Sequence, residues 1–348
     1  MTRLPIALDA MGGDFAPRAV VCGAAQAAAA MGVPIALVGR EEAIRAELAT
    51  CPAPEGLISI VDAPDVIAME EPPSIALRRK PKASVAVAAG LVREGAACAM
   101  ISAGNSGAAV GAALLGLGTL PGIRRPAIAT VAGGLRDKVV LLDVGANSDC
   151  TAKHLVQYAV MGSVYAQHVL HLAEPRVGLL SIGEEPSKGN ALIKAAHKML
   201  HGAGIRFIGN VEGNDIFKGR ADVVVCDGFV GNVALKLAEG FGEVFMSWVV
   251  DAFERHDHAG ASREKVDEVF SDLRRQLDYA EYGGAALLGV NGVCIIGHGR
   301  SSPKAIVSAV RVASQLVAEG VVEQIGGSLR RKAAAPAEAH DAGDVEEA

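Results

Sequence analysis

The chain has 348 residues, a length that suits one large domain or two modest ones. Hydrophobic residues make up 51% of it and aromatic residues only 4%, a composition typical of close-packed α/β layers. The formal net charge of −6 argues against a general nucleic-acid binder, which would show a basic face, so we expect no nucleic-acid partner.

Six short apolar runs each break into a loop of glycine and small polar residues. Runs of this length predict strands that are buried on both faces, as in a parallel sheet. In open parallel sheets the ligand lies beyond the carboxyl ends of the strands, where such loops gather. Loops rich in backbone N–H groups favour a small anion held without much fixed positive charge. The runs and their loops are 6–8 with 9–14, 98–101 with 102–107, 139–142 with 143–149, 177–182 with 183–190, 223–226 with 227–232, and 293–296 with 297–301.

Ala-rich helical patterns at 18–31, 84–94 and 188–201 alternate with these strands. The alternation predicts βαβ units with right-handed crossovers. We expect a single three-layer α/β/α, Rossmann-like domain over residues 1–332 with a mostly parallel sheet. The uncharged stretch 101–123 is long enough to span a membrane, but its glycines and Pro121 favour a strand, a loop and a buried helix instead.

Two segments differ from this pattern. Residues 251–281 contain fourteen charges of both signs, with apolar residues at helical spacing, and predict a projecting helical hairpin over about 249–282. Its apolar stripe is expected to pack on the body or on a second subunit. The tail, 333–348, is small, acidic and without periodicity, so we expect it to be disordered.

The cellular setting follows from the first apolar run and from the cysteines. Asp9 interrupts that run, so we expect no signal peptide and a cytoplasmic protein. The six cysteines lie far apart without a C-x-x-C pair, which favours buried thiols in a reducing cytosol over a disulfide or metal framework. The sequence predicts no metal ion and no cofactor, because the calcium-loop and H-E-x-x-H patterns are absent.

Two loops are candidates for binding an anion. Gly12 and Gly13 lie between a strand and a helix, although a tight turn without a ligand explains that loop equally well. The loop Ser102-Ala-Gly104-Asn105-Ser106-Gly107 offers two glycines, two hydroxyls and an amide just before an Ala-rich helix. We therefore predict an anion site there.

Three further loops carry polar side chains. The loop 143–149, which contains Asn147, has two carboxylates, and its end is also suited to capping the next helix. Lys188 lies near a predicted helix start, where it either meets a phosphate or pairs with Glu184. His298, between glycines at a strand end, is placed like a catalytic or ligand-binding group.

The chain has no G-x-S-x-G nucleophile elbow and no P-loop. Catalysis by orientation and charge stabilisation is then the natural hypothesis. The residues alone thus indicate an α/β protein that positions an anion, with phosphate favoured.

Taken together, several segments closely resemble the bacterial phosphate acyltransferases of the PlsX type, from about residue 6 to residue 318. Each segment is weak alone, but their joint occurrence in this order is specific. They are DAMGGDFAP, EPPSIALRRKPKAS, ISAGNSGA, LPGIRRPAIAT, LDVGANSDC, YAVMGSVYA, IGEEPSKGN, GNVEGNDIFKGRADVVVCDGFVGNVALK and YGGAALLGVNG.

The resemblance implies transfer of a fatty acyl group from acyl-[acyl carrier protein] to inorganic phosphate. The acyl phosphate formed would feed a membrane glycerol-3-phosphate acyltransferase in phospholipid synthesis, and a homodimer is expected. Two segments are also similar, more distantly, to phosphate acetyltransferases, which implies a related fold.

The combined interpretation assigns candidate roles to particular residues. The candidate catalytic residues are His298, Lys188 and Asn232. The candidate phosphate- or substrate-binding residues are Gly12, Gly13, Ser102, Gly104, Asn105, Ser106, Asn147, Asp227, Gly231, Arg300 and Ser301. A basic cluster suited to an acidic carrier protein, or else an ordinary solvated charge run, comprises Arg78, Arg79, Lys80 and Lys82.

The chain departs from the family pattern at three places. Phe15 stands where histidine is common, and Arg300 stands where serine is usual. The hairpin is more charged than the version with which some members touch a membrane, so peripheral membrane contact is left open. Two other functions also stay open: a coenzyme A-dependent short-chain phosphate acyltransferase and a non-catalytic scaffold that binds the carrier protein.

Overall fold

Eleven strands form one sheet in the computed structural model, which describes residues 4–134, 137–255 and 283–334. All six predicted strands are present. The strands are β1 (Ile6–Asp9), β2 (Ile35–Gly39), β3 (Ile58–Asp62), β4 (Ala99–Ser102), β5 (Ala127–Gly133), β6 (Lys138–Leu142), β7 (Val177–Leu180), β8 (Phe207–Val211), β9 (Val223–Val225), β10 (Ala285–Leu288) and β11 (Val293–Ile296).

Ten α-helices occur in the described part of the chain. They are α1 (Arg18–Met31), α2 (Glu41–Leu48), α3 (Pro73–Arg79), α4 (Ser84–Arg93), α5 (Ser106–Gly116), α6 (Ala152–Val169), α7 (Ala191–Leu200), α8 (Gly228–Arg255), α9 (Pro303–Ala318) and α10 (Val321–Ala334). The helix predicted at 188–201 begins at Ala191, because the Asn190 side chain caps it by accepting from the Ile193 N–H.

The helices cover both faces of the sheet, as the three-layer prediction requires. Successive strand residues enter opposite cores: Ile6 and Leu8 pack on one face and Ala7 on the other. Helices α1, α6, α7, α9 and α10 contribute to the first core, and α3, α4 and α5 to the second.

The strand order is β3-β2-β1-β4-β11-β10-β5-β6-β9-β7-β8. Neighbours are parallel on each side of the middle, whereas β10 is antiparallel to both of its neighbours and β5 is antiparallel to β6. The sheet therefore has two parallel groups that run in opposite directions. No pattern in the sequence predicted this reversal.

The register brings the carboxyl ends of the two groups to the same level. Leu142, the last residue of β6, pairs with Ala129 of β5, which pairs with Ala286 of β10. Ala286 in turn pairs with Ile295, one residue before the end of β11. The loops after β1, β4 and β11 thus meet those after β6 and β9 midway along the sheet, and not at one of its edges.

The cysteine expectation is wrong for one pair. Cys22 of α1 and Cys51, just after α2, form a disulfide with their Cα atoms 5.2 Å apart. Sequence spacing did not show the pairing because it depends on how α1 packs beside α2. Cys226 and Cys294 are buried thiols, as expected, and Cys98 and Cys150 are half-buried; none of these four is in a disulfide.

The predicted hairpin and tail lie largely outside the described residues. Positions 249–255 continue α8, and 333–334 end α10. The stretch 101–123 contains the end of β4 and helix α5, whose alanines are buried but whose Leu115 is exposed. Within the described ranges no single helix is long and apolar enough to cross a membrane; Pro303–Ala318 and Val321–Arg331 meet the length and composition criteria only as a pair bent by 48°.

Candidate active site

The loops after β1, β4 and β11 pack backbone against backbone. A Cβ on Gly12 would lie only 2.7 Å from the Gly104 nitrogen. The Asp14 N–H donates to the Gly299 carbonyl at 2.8 Å, so the first loop is also tied to the third. Gly13, with φ +109°, lies against the same carbonyl. The close approach of these loops explains the glycines, and their predicted contact with phosphate stays a prediction.

A small recess opens between these loops and α4. Asp9, at the end of β1, is buried there, and Ser102 Oγ donates to its Oδ2 at 2.7 Å. The Gly104 N–H in turn donates to Ser102 Oγ at 3.2 Å. Burial raises the pKa of Asp9, despite hydrogen bonds from Ser84 and Ser102 that lower it. No role was predicted for Asp9 from the sequence, although it is the first polar residue after an apolar run.

Asn105 is committed to the protein itself. Its Oδ1 accepts from the Ala108 N–H at 3.0 Å and caps α5. Its Nδ2 donates to the carbonyls of Met69 and Glu71, at 2.8 and 3.2 Å. The predicted anion contact therefore falls to Ser106, which is exposed in the first turn of α5. Because the cap is a neutral amide, it does not itself cancel the positive end of this helix.

On the opposite side of the site, Asp143 organises the loop after β6. It is fully buried and accepts from the N–H groups of Ile128, Gly145, Ala146 and Asn147, at 2.9–3.1 Å. Burial raises its pKa, and these hydrogen bonds lower it. Asn147 Nδ2 donates to Asp143 and to the Pro126 carbonyl. Both side chains thus hold the loop in place.

Helix α8 begins tightly against this loop. Asp227 Oδ1 accepts from the N–H groups of Phe229 and Val230, at 3.0 and 2.9 Å, and caps the helix. A Cβ on Gly231 would overlap the Asp143 carbonyl oxygen, so only glycine fits there. Unlike α5, this helix start carries a carboxylate, which makes it the poorer place for a phosphate.

A stripe of polar side chains along α8 runs from the loops after β6 and β9 to the loop after β11. Asn232, Lys236, Glu239 and Glu243 recur at helical spacing on one side of the helix. Asn232 is exposed beside Gly145. The next members of the stripe reach the loop after β11: Lys236 Nζ lies 3.3 Å from His298 Nε2, and Arg300 donates to Glu243 at 3.1 Å.

Lys236 was missed by the sequence analysis. The only signal was its position four residues after Asn232, which places both on one face of the predicted helix. Its ammonium also pairs with Glu239 at 3.2 Å.

His298 is half-buried and is kept neutral. Its Nδ1 accepts from the Arg300 N–H at 3.2 Å, while Lys236 approaches Nε2. A neutral imidazole accepts at only one nitrogen, so two donors compete for one lone pair. Burial, followed by the charge of Lys236, lowers the pKa of His298. Ser301 Oγ donates to the His298 carbonyl at 2.6 Å and fixes the turn.

Lys188 stays a predicted catalytic residue. It lies exposed in the loop after β7, three residues before α7 begins. Strand β7 is the parallel neighbour of β9, so this loop lies at the same edge as the loops after β6 and β9. The alternative pairing with Glu184 is not formed, because Glu184 binds Arg220.

The basic cluster divides into two parts. Arg78, Arg79 and Lys82 are exposed at and beyond the end of α3. Lys80 instead points inward, where its Nζ donates to Glu71 at 2.6 Å and to the Val66 carbonyl at 2.8 Å. Helix α3 packs on α5, as a Cβ on Gly107 would lie 2.7 Å from Pro73 Cγ. The exposed cations therefore border the helix that carries Ser106.

Neither a thiol nucleophile nor a metal cluster is present at this site. Burial raises the pKa of Cys150 and of Cys226, the two thiols nearest the Asp143 loop, so both stay protonated and are poor nucleophiles. Across residues 4–134, 137–255 and 283–334, no group of three or more His, Cys, Asp or Glu side chains is arranged to hold a metal ion.

The fold is shared with solved enzymes of low sequence identity. A phosphotransacetylase from Streptococcus pyogenes superposes with a TM-score of 0.63 at 17% identity, over 92% of this chain and 94% of that one. A 4-hydroxythreonine-4-phosphate dehydrogenase from Klebsiella pneumoniae gives 0.54 at 15% identity, over 90% and 99%. These likenesses concern the fold, a mixed α/β architecture with a large, mostly parallel sheet that both kinds of enzyme share.

Sequence comparison identifies the family to which the chain belongs. Residues 4–324 match the family model described as fatty acid synthesis protein. The phosphate acyltransferase of Desulforamulus reducens is 50% identical over 326 residues, which cover 94% of this chain and 97% of that protein. That of Heliobacterium modesticaldum is 51% identical over 321 residues, 92% and 96% of the two chains. The chain belongs to this phosphate acyltransferase family and is an acyltransferase.

Proposed function

We propose that the enzyme transfers a fatty acyl group from acyl-[acyl carrier protein] to inorganic phosphate, and that the acyl phosphate formed is used in phospholipid synthesis. The observation that carries this proposal is the Lys236–His298 contact across the cleft, on the side of the sheet where the neutral start of α5 lies. The family membership and the resemblance of the motifs support the same reaction.

Phosphate is the nucleophile in this reaction, so the enzyme needs no nucleophile of its own. The start of α5, with Ser106 exposed and a neutral cap at Asn105, favours the phosphate dianion. Asp9 lines the adjoining recess, and burial raises its pKa.

His298 and Lys236 supply the remaining chemistry. A phosphate oxygen forms a bond to the thioester carbonyl carbon, and the C–S bond breaks as the tetrahedral oxyanion collapses. The Lys236 ammonium stabilises the negative charge that develops on oxygen and then on sulfur. The neutral His298 ring accepts a proton from monoprotonated phosphate as it attacks and returns it to the departing thiolate.

The acyl donor is proposed from the exposed basic surface beside α5. Arg78, Arg79 and Lys82 offer positive charge to an acidic carrier protein in an otherwise acidic chain. Lys80 is not part of this proposal, since Glu71 already pairs with it.

A homodimer is proposed from the exposed apolar face of α8. Leu237, Phe241 and Trp248 are 71%, 58% and 59% exposed and lie on the side of the helix away from the polar stripe. A continuous exposed apolar face of this size calls for a partner surface, and a second copy of the helix offers a matching one.

One assay tests the reaction and the donor together. Purified protein is incubated with labelled phosphate and either long-chain acyl carrier protein or acetyl coenzyme A. We expect a hydroxylamine-sensitive acyl phosphate from the carrier-protein thioester. Efficient turnover of acetyl coenzyme A alone would establish the short-chain alternative, and binding of carrier protein without turnover would establish the scaffold.

A further inference from the structure

Two histidines at the far end of the sheet form a cluster that the proposed reaction does not use. His197 lies on α7 and His201 directly follows the last residue of that helix, one turn further along, and their Nε2 atoms are 3.3 Å from each other. Both rings stand edge-on to Phe207 of β8, with ring centroids 5.2 Å away. His197 is buried and His201 is exposed, so the pair opens to solvent on one side.

The hydrogen bonds around His197 fix its tautomer. Asn210 Nδ2 donates to the Glu185 carbonyl at 3.0 Å, so its Oδ1 is the atom that faces His197. That oxygen lies 2.9 Å from His197 Nδ1 and can only accept, so Nδ1 carries the proton. The lone pair of His197 is therefore on Nε2, directed at His201.

We propose that His197 and His201 bind a divalent transition metal ion, of the Zn²⁺ and Cu²⁺ type, through their two Nε2 atoms. Imidazole nitrogen suits these ions. With Zn–N bonds of about 2.0–2.1 Å and tetrahedral angles, two nitrogen ligands lie about 3.4 Å apart, close to the 3.3 Å seen here.

Asn210, the hydrogen-bond partner of His197, matches a common feature of metal sites. A metal-binding histidine usually donates its second ring N–H to an oxygen, which fixes the ring orientation and raises its basicity. Asn210 is only 1% exposed and plays this part for His197. When the ion binds, the remaining His201 proton moves to its Nδ1, and water completes the coordination.

The site lies away from the His298 loop, which follows β11, and acts on a different loop. Six strand spacings, about 29 Å, separate β8 from β11. Asn210 connects the histidines to Glu185, in the loop that also carries Lys188. The bound ion would thus hold α7, β8 and this loop together, without taking part in acyl transfer.

The test is Zn²⁺ calorimetry and Cu²⁺ electron paramagnetic resonance on the full, untagged chain. We expect one ion per chain and a Cu²⁺ spectrum with coupling to two imidazoles. His201→Ala, at an exposed position, should weaken binding at least about 10-fold and leave one imidazole, since even loss of an outer partner costs about 10–100-fold. Asn210→Asp should tighten binding, because a carboxylate makes His197 more basic.

His168→Ala, near the end of α6, is the matched control and should bind like the unmodified protein. Equal affinity and equal spectra for His201→Ala would overturn the proposal, as would a chain that binds neither ion at a single site. Circular dichroism of each variant establishes that the fold is kept, so a loss of binding is assigned to the lost ligand.

Discussion

The side chains of Lys236 and His298 meet at 3.3 Å although the residues are 62 positions apart in the chain. Lys236 comes from α8, which begins at the loops after β6 and β9, and His298 lies in the loop after β11. This side-chain contact therefore links the two groups of parallel strands.

Removing the Lys236 charge is expected to raise the pKa of His298. Burial and the ammonium both lower this pKa, whereas Glu239 raises it, so Lys236→Met and Glu239→Gln should shift it in opposite directions. NMR titration of the His298 ring measures both shifts. We also expect kcat of Lys236→Met to fall about 10²–10³-fold, as for loss of a charge-stabilising group, while Lys236→Arg recovers part of it. Identical His298 titrations in all variants would show that the contact does not exist in solution.

Gly231→Ala should destabilise the protein. The added methyl would overlap the Asp143 carbonyl oxygen at the start of α8, and overpacking of this kind costs about 1–3 kcal/mol. Gly240→Ala, in the same helix, is the control, because its Cβ would meet nothing within 4 Å and should add up to about 1 kcal/mol through helix propensity. Urea unfolding compares the two; equal midpoints would contradict the packing described.

Asp9→Asn should flatten the pH dependence of stability. The pKa of Asp9 is raised in the folded state from an ordinary value of 3.8, so between these values the folded chain holds a proton that the unfolded chain has released. This contribution is therefore largest at low pH and is lost as the pH rises through the folded pKa. Relative to the unmodified protein, the variant should gain stability with increasing pH. A free-energy difference that does not change with pH would mean that Asp9 ionises normally.

Ser106→Ala should raise the KM for phosphate without affecting the fold. Loss of one hydrogen bond to a charged group costs about 1.5–3 kcal/mol, equivalent to roughly 10–100-fold. Asn105→Ala should raise the same KM and also lower stability by about 1 kcal/mol, because its side chain caps α5. Steady-state kinetics and thermal unfolding separate these effects. Unchanged phosphate kinetics in Ser106→Ala would move the anion site elsewhere.

Charge reversal at Arg78 and Arg79 should slow association with acyl carrier protein and reduce its salt dependence. The matched control reverses Lys194 and Lys198, two exposed lysines on α7, and gives the same change in net charge. Stopped-flow binding at low salt measures the association rate. If both double variants associate equally fast, the Arg78 cluster is a solvated face.

The strands and loops were predictable because apolar runs and turn residues are local signals. All six predicted strand–loop units occur, and the mostly parallel, three-layer sheet is confirmed. The reversal at β10 and β5 was not predicted. The pairs β10–β11 and β5–β6 join consecutive strands, but the pairing of Ala286 with Ala129 joins distant parts of the chain and leaves no local pattern.

The site was predictable only in part, for a similar reason. Residue type suggested that Asn105 and Lys80 face ligands, but tertiary contacts with Met69 and Glu71 occupy both side chains. Lys236 looked like an ordinary helix cation until the length and direction of α8 placed it beside His298. Which polar groups remain available is decided by packing, and that information is distributed over the whole chain.

Helix α8 begins at the loops after β6 and β9, and about two turns later it contacts the loop after β11. The number of helical turns between these two points therefore sets the width of the cleft. One residue inserted between Gly231 and Lys236 would rotate everything downstream by about 100° and turn the apolar Leu235 toward His298. Four inserted residues would nearly restore the angle and move the contact by about 6 Å. An insertion in this segment is therefore compatible with the contact only if it preserves the direction of the side chains. The width of the cleft can thus change only in steps of about one helical turn.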